Sequence, residues 1–117
     1  MDNQNIQIVA SKGAHQGERI LQLKGPLCIH TIFDFQTAVK AEASPTLIVD
    51  FSNVPFVDSA GLGILVGAQL SARRENRKLV LAGMNTQVKA LFDMTKVNEF
   101  FSIYPTIQDA EAASTPD

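Results

Sequence analysis

The residues best suited to chemistry lie in one short stretch, residues 58–63, which reads DSAGLG. The side chains of Asp58 and Ser59 can each accept hydrogen bonds from the first free N–H groups of a helix. Gly61 and Gly63 allow a tight turn that leaves those amides uncovered. A serine hydroxyl in this setting would lie at the surface, beside the positive end of a helix dipole, which favours a phosphate. We therefore predict a phosphoacceptor serine at the centre of a docking surface, with a plain helix N-cap as the structural alternative.

The glycine spacing in and after this stretch also invites comparison with a dinucleotide site. Gly61, Gly63 and Gly67 miss the G-x-G-x-x-G spacing by one residue, and they would fall within the helix rather than before it. Close packing of the helix on a sheet explains these glycines better. The chain contains no Gly-Lys-Ser or Gly-Lys-Thr, so a phosphate-binding loop is excluded.

Ser59 lacks the sequence context of a hydrolase nucleophile. A nucleophile elbow would need glycine at position 57, where the chain has Val57. The two histidines that could act as a base, His15 and His30, lie in or near early loops. We therefore expect no catalytic residue and no enzymatic activity, whereas the hydrolase alternative predicts that an activated phosphonate would label Ser59.

Asp50 lies near the end of a predicted central strand, as the phosphoacceptor of receiver domains does. Those domains also need an acidic pair at the end of the first strand to hold Mg²⁺, and residues 6–10 (IQIVA) contain none. The expected role of Asp50 is therefore a hydrogen bond to a turn. Cys28 and the two histidines lack the spacing of metal ligands, so neither a metal nor a cofactor is predicted.

Length and composition are those of a small globular domain. The chain has 117 residues, of which 45% are hydrophobic and 19% charged, enough for one core without disulfides or metals. The net charge of −2 gives no electrostatic drive toward nucleic acid or anionic membranes. A single cysteine fits a reducing cytoplasm, the polar N-terminus lacks a secretory signal, and no apolar stretch approaches the length of a membrane span. We therefore expect a cytoplasmic protein that neither binds nucleic acid nor inserts into a membrane.

The elements that would position residues 58–63 alternate along the chain. Two short alternating stretches predict a hairpin at a sheet edge, and helices then alternate with strands. This order predicts an α/β fold, with one domain over residues 1–113 and a flexible tail at 114–117. Its sheet is mixed and mostly parallel, with an N-terminal hairpin and about four helices. The predicted strands are 6–10, 19–24, 46–51, 79–82 and 101–104, and the predicted helices are 31–42, 60–76, one that begins after Asn85, and 106–113.

Local patterns give further expectations. Thr31 is predicted to cap the first helix, with Asp34 completing a weak capping box. Residues 52–55 predict a turn, and Phe56 and Val57 are predicted to be core residues. The first half of the second helix is apolar nearly all round and is therefore predicted to be deeply packed.

The basic run at residues 73–78 includes the end of the second predicted helix. We expect it to be a solvated helix end, with contact to an acidic partner as the secondary alternative. Asn85 is predicted to cap the third helix, because its side chain can accept a hydrogen bond from the first turn.

Two segments carry a specific pattern, residues 50–63 (DFSNVPFVDSAGLG) and 88–95 (VKALFDMT). Together they resemble the STAS domain, specifically the stand-alone anti-sigma factor antagonists of bacteria, over nearly the whole chain. The resemblance implies that Ser59 is phosphorylated by an anti-sigma factor that is also a serine kinase. It also implies that the unphosphorylated form binds this anti-sigma factor and frees the sigma factor, and that a serine phosphatase resets the switch. The residues that we expect to bind the partner around this phosphoacceptor are Asp58, Ala60, Gly61, Leu62 and Gly63.

One departure from the family pattern concerns Cys28. The family usually has Gly-x-Leu-Asp after its early strands, whereas residues 25–28 read GPLC here. Because that Asp lies near the phosphoacceptor in the family, its loss leaves an alternative open. The chain would then be a STAS adaptor subunit of another signalling or transport complex, with a structural Ser59. The sequence also leaves self-association into a weak homodimer open.

Overall fold

The computed structural model describes residues 5–113, so the tail predicted at 114–117 lies outside the described residues. Five strands of this part of the chain form one sheet in the order β1-β2-β3-β4-β5. β1 pairs antiparallel with β2, and the other neighbouring strands are parallel. The predicted mixed, mostly parallel sheet with an N-terminal hairpin at its edge is confirmed. The strands are β1 (Gln7–Lys12), β2 (Glu18–Lys24), β3 (Thr46–Asn53), β4 (Lys78–Ala82) and β5 (Ser102–Tyr104).

Helices cover both faces of the sheet. The main hydrophobic cluster lies between one face and the first three helices, and it buries Phe35, Leu65 and Phe92. A smaller cluster lies on the other face, where Ala110 packs with Ile48. Among residues 5–113, no helix is both long and apolar enough to cross a membrane. The helices are α1 (Ile32–Ala41), α2 (Ser59–Arg74), α3 (Thr86–Met94) and α4 (Ile107–Ala113), and a 3₁₀ turn (Val97–Phe100) precedes β5.

The central strand β3 carries Asp50 in a buried position. Its Oδ1 accepts hydrogen bonds from the backbone N–H of Ser52 (2.9 Å) and from the Ser52 hydroxyl (2.5 Å). The predicted hydrogen-bonding role of Asp50 is confirmed, but its partner Ser52 lies within β3 and not in a turn. The predicted turn at 52–55 is partly wrong, because β3 continues through Asn53.

Two local predictions at helix entries are partly wrong. Thr31 occupies the N-cap position of α1, as predicted, but its side chain makes no capping hydrogen bond. Its hydroxyl instead donates to the Pro26 carbonyl (2.8 Å) and accepts from the Cys28 N–H (2.9 Å), so the loop before the helix takes up its bonding capacity. Phe56 is 40% exposed although it was predicted as core, whereas Val57 is buried. Successive residues of an extended chain point to opposite sides, so only one of the two can face the core.

Helix α2 buries one face rather than its whole first half, so the prediction of all-round packing is wrong. Gly61 and Leu65 are buried on that face, whereas Gly63 and Gly67 are exposed. A Cβ atom at Gly61 would overlap the carbonyl oxygen of Leu27, but at Gly63 and Gly67 it would meet no atom within 4 Å. Close packing therefore explains Gly61 alone. The hydropathy pattern gave the wrong prediction for this half of α2 because glycine occurs at both buried and exposed positions.

The contrast between Gly61 and Gly63 allows a matched test of the packing at Gly61. We expect Gly61→Ala to lower the free energy of unfolding by about 1–3 kcal/mol, because the new methyl group must displace a backbone carbonyl. Gly63→Ala should instead raise it by about 0.5–1 kcal/mol, because alanine is the better helix former and the position is open. Urea unfolding followed by circular dichroism measures both changes. Equal stability of the two variants would contradict this account of Gly61.

Candidate functional site

The candidate site lies where the loops after β2 and β3 meet, at the carboxyl end of the parallel strands. Leu27 and Val57 form an isolated parallel bridge that extends the pairing of the two strands. The Leu27 N–H donates to the Phe56 carbonyl (3.1 Å), and the Asp58 N–H donates to the Leu27 carbonyl (3.2 Å). Crevices at this end of open α/β sheets commonly hold functional sites. The bridge fixes the start of α2 against the loop that follows β2.

Asp58 joins the helix to that loop through both oxygens of its carboxylate. It is the N-cap of α2, with extended backbone at φ −99° and ψ −176°, and its Oδ1 accepts from the Gly61 N–H (2.8 Å). Its Oδ2 accepts from the Ile29 N–H (3.0 Å). One side chain therefore caps the helix and holds the neighbouring loop.

Ser59 is the first residue of α2 and is exposed. The structural alternative of a plain N-cap is wrong for Ser59, because Asp58 occupies that position. In the described part of the chain, nothing hydrogen-bonds to the Ser59 hydroxyl, and the backbone N–H groups of Ser59 and Ala60 have no acceptor. The hydroxyl is thus accessible and lies beside two free donors at the positive end of the helix.

The structure distributes the predicted partner-binding residues over different environments. Gly61 is buried, Gly63 is exposed, and Asp58, Ala60 and Leu62 are half-buried. Gly61 can shape a docking surface only by letting α2 approach Leu27. Contact of these five residues with a partner stays a prediction.

Exposed apolar side chains near the site were missed by sequence reasoning. Ile29, whose N–H binds Asp58, is 57% exposed, and Phe56 lies just before the bridge residue Val57. Phe33, in the first turn of α1 after the same loop, is 72% exposed. The signal in the sequence that could have found these exposed side chains is an apolar residue directly beside a predicted loop or helix cap. Large exposed apolar side chains in the loops before α1 and α2 are typical of surfaces that dock proteins.

The next question is whether residues 5–113 place a histidine base near Ser59 or group side chains that could bind a metal. His15 lies in the β1–β2 turn, at the opposite end of the sheet, where its ring Nε2 is hydrogen-bonded with the Glu111 carbonyl (2.9 Å). His30 is exposed in the loop after β2 and makes no hydrogen bond to Ser59 within residues 5–113. Over the same residues, no three His, Cys, Asp or Glu side chains cluster as metal ligands would. Cys28 is buried, so its thiol does not line the surface around Ser59.

Comparison with known proteins identifies related sequences. Residues 5–110 match the family model of the STAS domain. An anti-sigma-B factor antagonist of Listeria monocytogenes is 37% identical over 57 residues, which cover 49% of this chain and 50% of the relative. The chain therefore spans about half the length of that curated relative. An anti-sigma F factor antagonist of Paenibacillus polymyxa is 26% identical over 94 residues, covering 77% of this chain and 80% of the relative.

Solved structures share the fold at low identity. An anti-sigma factor antagonist from Mycobacterium paratuberculosis superposes with a TM-score of 0.83 at 23% identity, covering 96% of each chain. The phosphorylated form of the Bacillus cell fate determinant SpoIIAA gives 0.64 at 18% identity, covering 94% of this chain and 99% of that one. The murine anion transporter Slc26a9 gives 0.74 at 22% identity, covering 92% of this chain and 21% of that one. With the family match over residues 5–110, these findings lead to one conclusion: the chain belongs to the STAS domain family.

Proposed function

We propose that this chain is an anti-sigma factor antagonist, a binding protein switched by phosphorylation of Ser59. Its unphosphorylated form binds an anti-sigma factor and so releases the sigma factor that this partner holds. The anti-sigma factor is also the serine kinase that ends the interaction, and a serine phosphatase restores it. The chain itself has no catalytic activity, and it works in the cytoplasm beside its partners.

The observation that carries this proposal is the exposed, unbonded hydroxyl of Ser59 at the first position of α2. A kinase can reach it without unfolding any part of the site. A phosphate added there carries about −1.5 to −2 charges. The free N–H groups and the helix dipole offset part of that charge, so the fold accommodates the modification.

The same charge would expel a partner packed over the site. Ile29 and Phe56 are exposed, the Ile29 N–H binds the Asp58 carboxylate, and Phe56 lies three residues before Ser59, so we propose that a partner that covers these side chains also covers the phosphate. Burying charge that is only partly offset costs several kcal/mol, whereas an interface retains only a modest surplus of binding free energy. A penalty of about 3 kcal/mol lowers the affinity roughly 100-fold.

The names of the related proteins support the same function. Curated relatives in Listeria and Paenibacillus are anti-sigma factor antagonists, and they share sequence with this chain. The related SpoIIAA is known in a phosphorylated form with the same fold, which supports phosphorylation that leaves the domain folded.

An adaptor subunit of another signalling or transport complex is the second candidate, and Cys28 favours it. This residue stands where the family usually has an Asp near the phosphoacceptor, and its thiol is buried. A domain of this fold also forms part of the Slc26a9 transporter. An adaptor would bind its partner whether or not Ser59 is changed.

Phosphorylation at a single serine is the first expected outcome. The chain is incubated with ATP and native cell extract, and its intact mass and peptides are then analysed. We expect one phosphate, located on Ser59, because its hydroxyl is exposed at the helix start. Ser59→Ala should accept none, whereas Ser11→Ala, a change at an exposed serine of β1, should accept one. No phosphate on the wild-type chain, or a phosphate on the Ser59→Ala variant, would count against the proposal.

A second prediction separates binding from folding. Ser59→Asp should change the free energy of unfolding by less than about 1 kcal/mol, because an acidic residue is favourable in the first turn of a helix. The same variant should bind the anti-sigma factor, purified as the kinase of the previous experiment, about 100-fold more weakly in calorimetry. Ser59→Asn serves as the control, because asparagine has the same shape as aspartate but carries no charge. Equal affinity of the two variants would favour the adaptor.

A further inference from the structure

A groove between α1 and α2 lies apart from the loops around Ser59. Its volume is about 360 Å³, and most of its lining is apolar. Phe35 is fully buried and contributes to the lining, and Val39, Ile64, Ala68 and Leu70 also line it. Leu70 is 47% exposed, which leaves a large apolar side chain at the surface with room beside it.

The groove is continuous with the phosphoacceptor along one stripe of α2. Ser59, Gly63, Gly67, Leu70 and Arg74 are all exposed, and their spacing of three or four residues places them on the same side of the helix. The last three of them line the groove. The two glycines leave this side of α2 without side chains, so another backbone can come close to it.

Charge gives the groove a preference. Among the described residues that line it, Lys40 and Arg74 are charged, and none carries a carboxylate. Neither cation forms an ion pair within residues 5–113. The neighbouring Arg73 is oriented differently, because its guanidinium lies 4.2 Å from the centre of the Phe100 ring and donates to the Phe100 carbonyl (3.0 Å). The groove therefore has a mostly apolar lining and two cations without an ion-pair partner in the described part of the chain, of which Arg74 donates a hydrogen bond to the Ser71 hydroxyl (3.1 Å).

We propose that this groove holds an amphipathic, acidic α-helix of the anti-sigma factor. A groove between two packed helices accepts the ridge of a third helix, whose apolar residues at i, i+3, i+4 and i+7 would lie against Leu70 and Ile64. Carboxylates flanking that ridge would meet Lys40 and Arg74. The identity of the partner rests on the proposed function, whereas the preference of the groove for an acidic helix does not.

The two parts of the docking surface then have different tasks. Gly67 and Leu70 lie about 12–16 Å from Ser59 along the helix axis, at 1.5 Å per residue. That separation exceeds the Debye length at physiological salt, so a phosphate on Ser59 acts weakly on the groove. The groove contributes affinity and orientation, and the serine contributes the switch.

A designed peptide tests the groove without the natural partner. The probe is an acidic helical peptide of about 18 residues, or five turns, with leucines at i, i+3, i+4 and i+7 and glutamates on both flanks. It is titrated into the ¹⁵N-labelled full chain, and a second peptide carries lysine in place of each glutamate. We expect amide shifts centred on Gly67 and Leu70 with the acidic peptide.

Charge reversal supplies the decisive comparison. The double variant Lys40→Glu/Arg74→Glu should bind the acidic peptide about tenfold more weakly, since two exposed ion pairs become repulsive, and it should bind the lysine peptide more tightly. Lys89→Glu/Lys96→Glu makes the same change in net charge at exposed residues outside the groove and should alter neither affinity by more than about twofold. Ser59→Asp should likewise leave peptide binding within about twofold.

Three results would overturn the groove assignment. They are shifts centred elsewhere or none at all, equal weakening by both charge-reversed variants, and shifts of the groove amides when the peptide-free chain is diluted. The last result would make a second copy of the chain the occupant. Failure of Ser59 phosphorylation would instead overturn the proposed function and leave peptide binding unaffected, so the two failures are distinguishable.

Discussion

The Asp58 carboxylate is the interaction on which the site depends. One oxygen caps α2 through the Gly61 N–H, and the other holds the loop after β2 through the Ile29 N–H. Backbone hydrogen bonds between Leu27 and the segment before α2 complete this connection between the helix and the loop. Because the carboxylate accepts from two elements at once, Ser59 is presented from a fixed position rather than from a free loop.

This rigidity suits a switch that works by charge rather than by movement. The exposed hydroxyl of Ser59 extends from a capped helix whose core face is anchored by Leu65. The phosphate proposed there would change the electrostatic potential of the surface and leave the packing beneath it the same. The apolar residues Ile29 and Phe56 would then stay exposed in both states, and the partner would respond only to the added charge.

Sequence patterns were sufficient for the order of strands and helices, the edge hairpin and the Asn85 cap of α3, whose side chain accepts from the Val88 N–H. Each depends on local residue chemistry, so no tertiary information was needed. They also located the candidate stretch but not the roles within it. Two details depend on a shift of one residue in the register of this segment, which its pairing with the neighbouring strand sets. They are which of two adjacent polar residues caps the helix, and whether Phe56 or Val57 faces inward. The exposed sides at Gly63 and Gly67 were also hidden, since glycine carries no hydropathy signal.

The steric demand at Gly61 has an evolutionary consequence. The atom that excludes a side chain there is the carbonyl oxygen of Leu27, which every residue type at position 27 would also supply. No compensating substitution at that position can therefore relieve the restriction. Gly63 and Gly67, in contrast, are free to accept side chains. With the proposed docking on α2, substitutions at positions 63 and 67 could change which partner binds while position 61 stays glycine. Binding specificity could then diverge without disturbing the contacts that hold Ser59 in place.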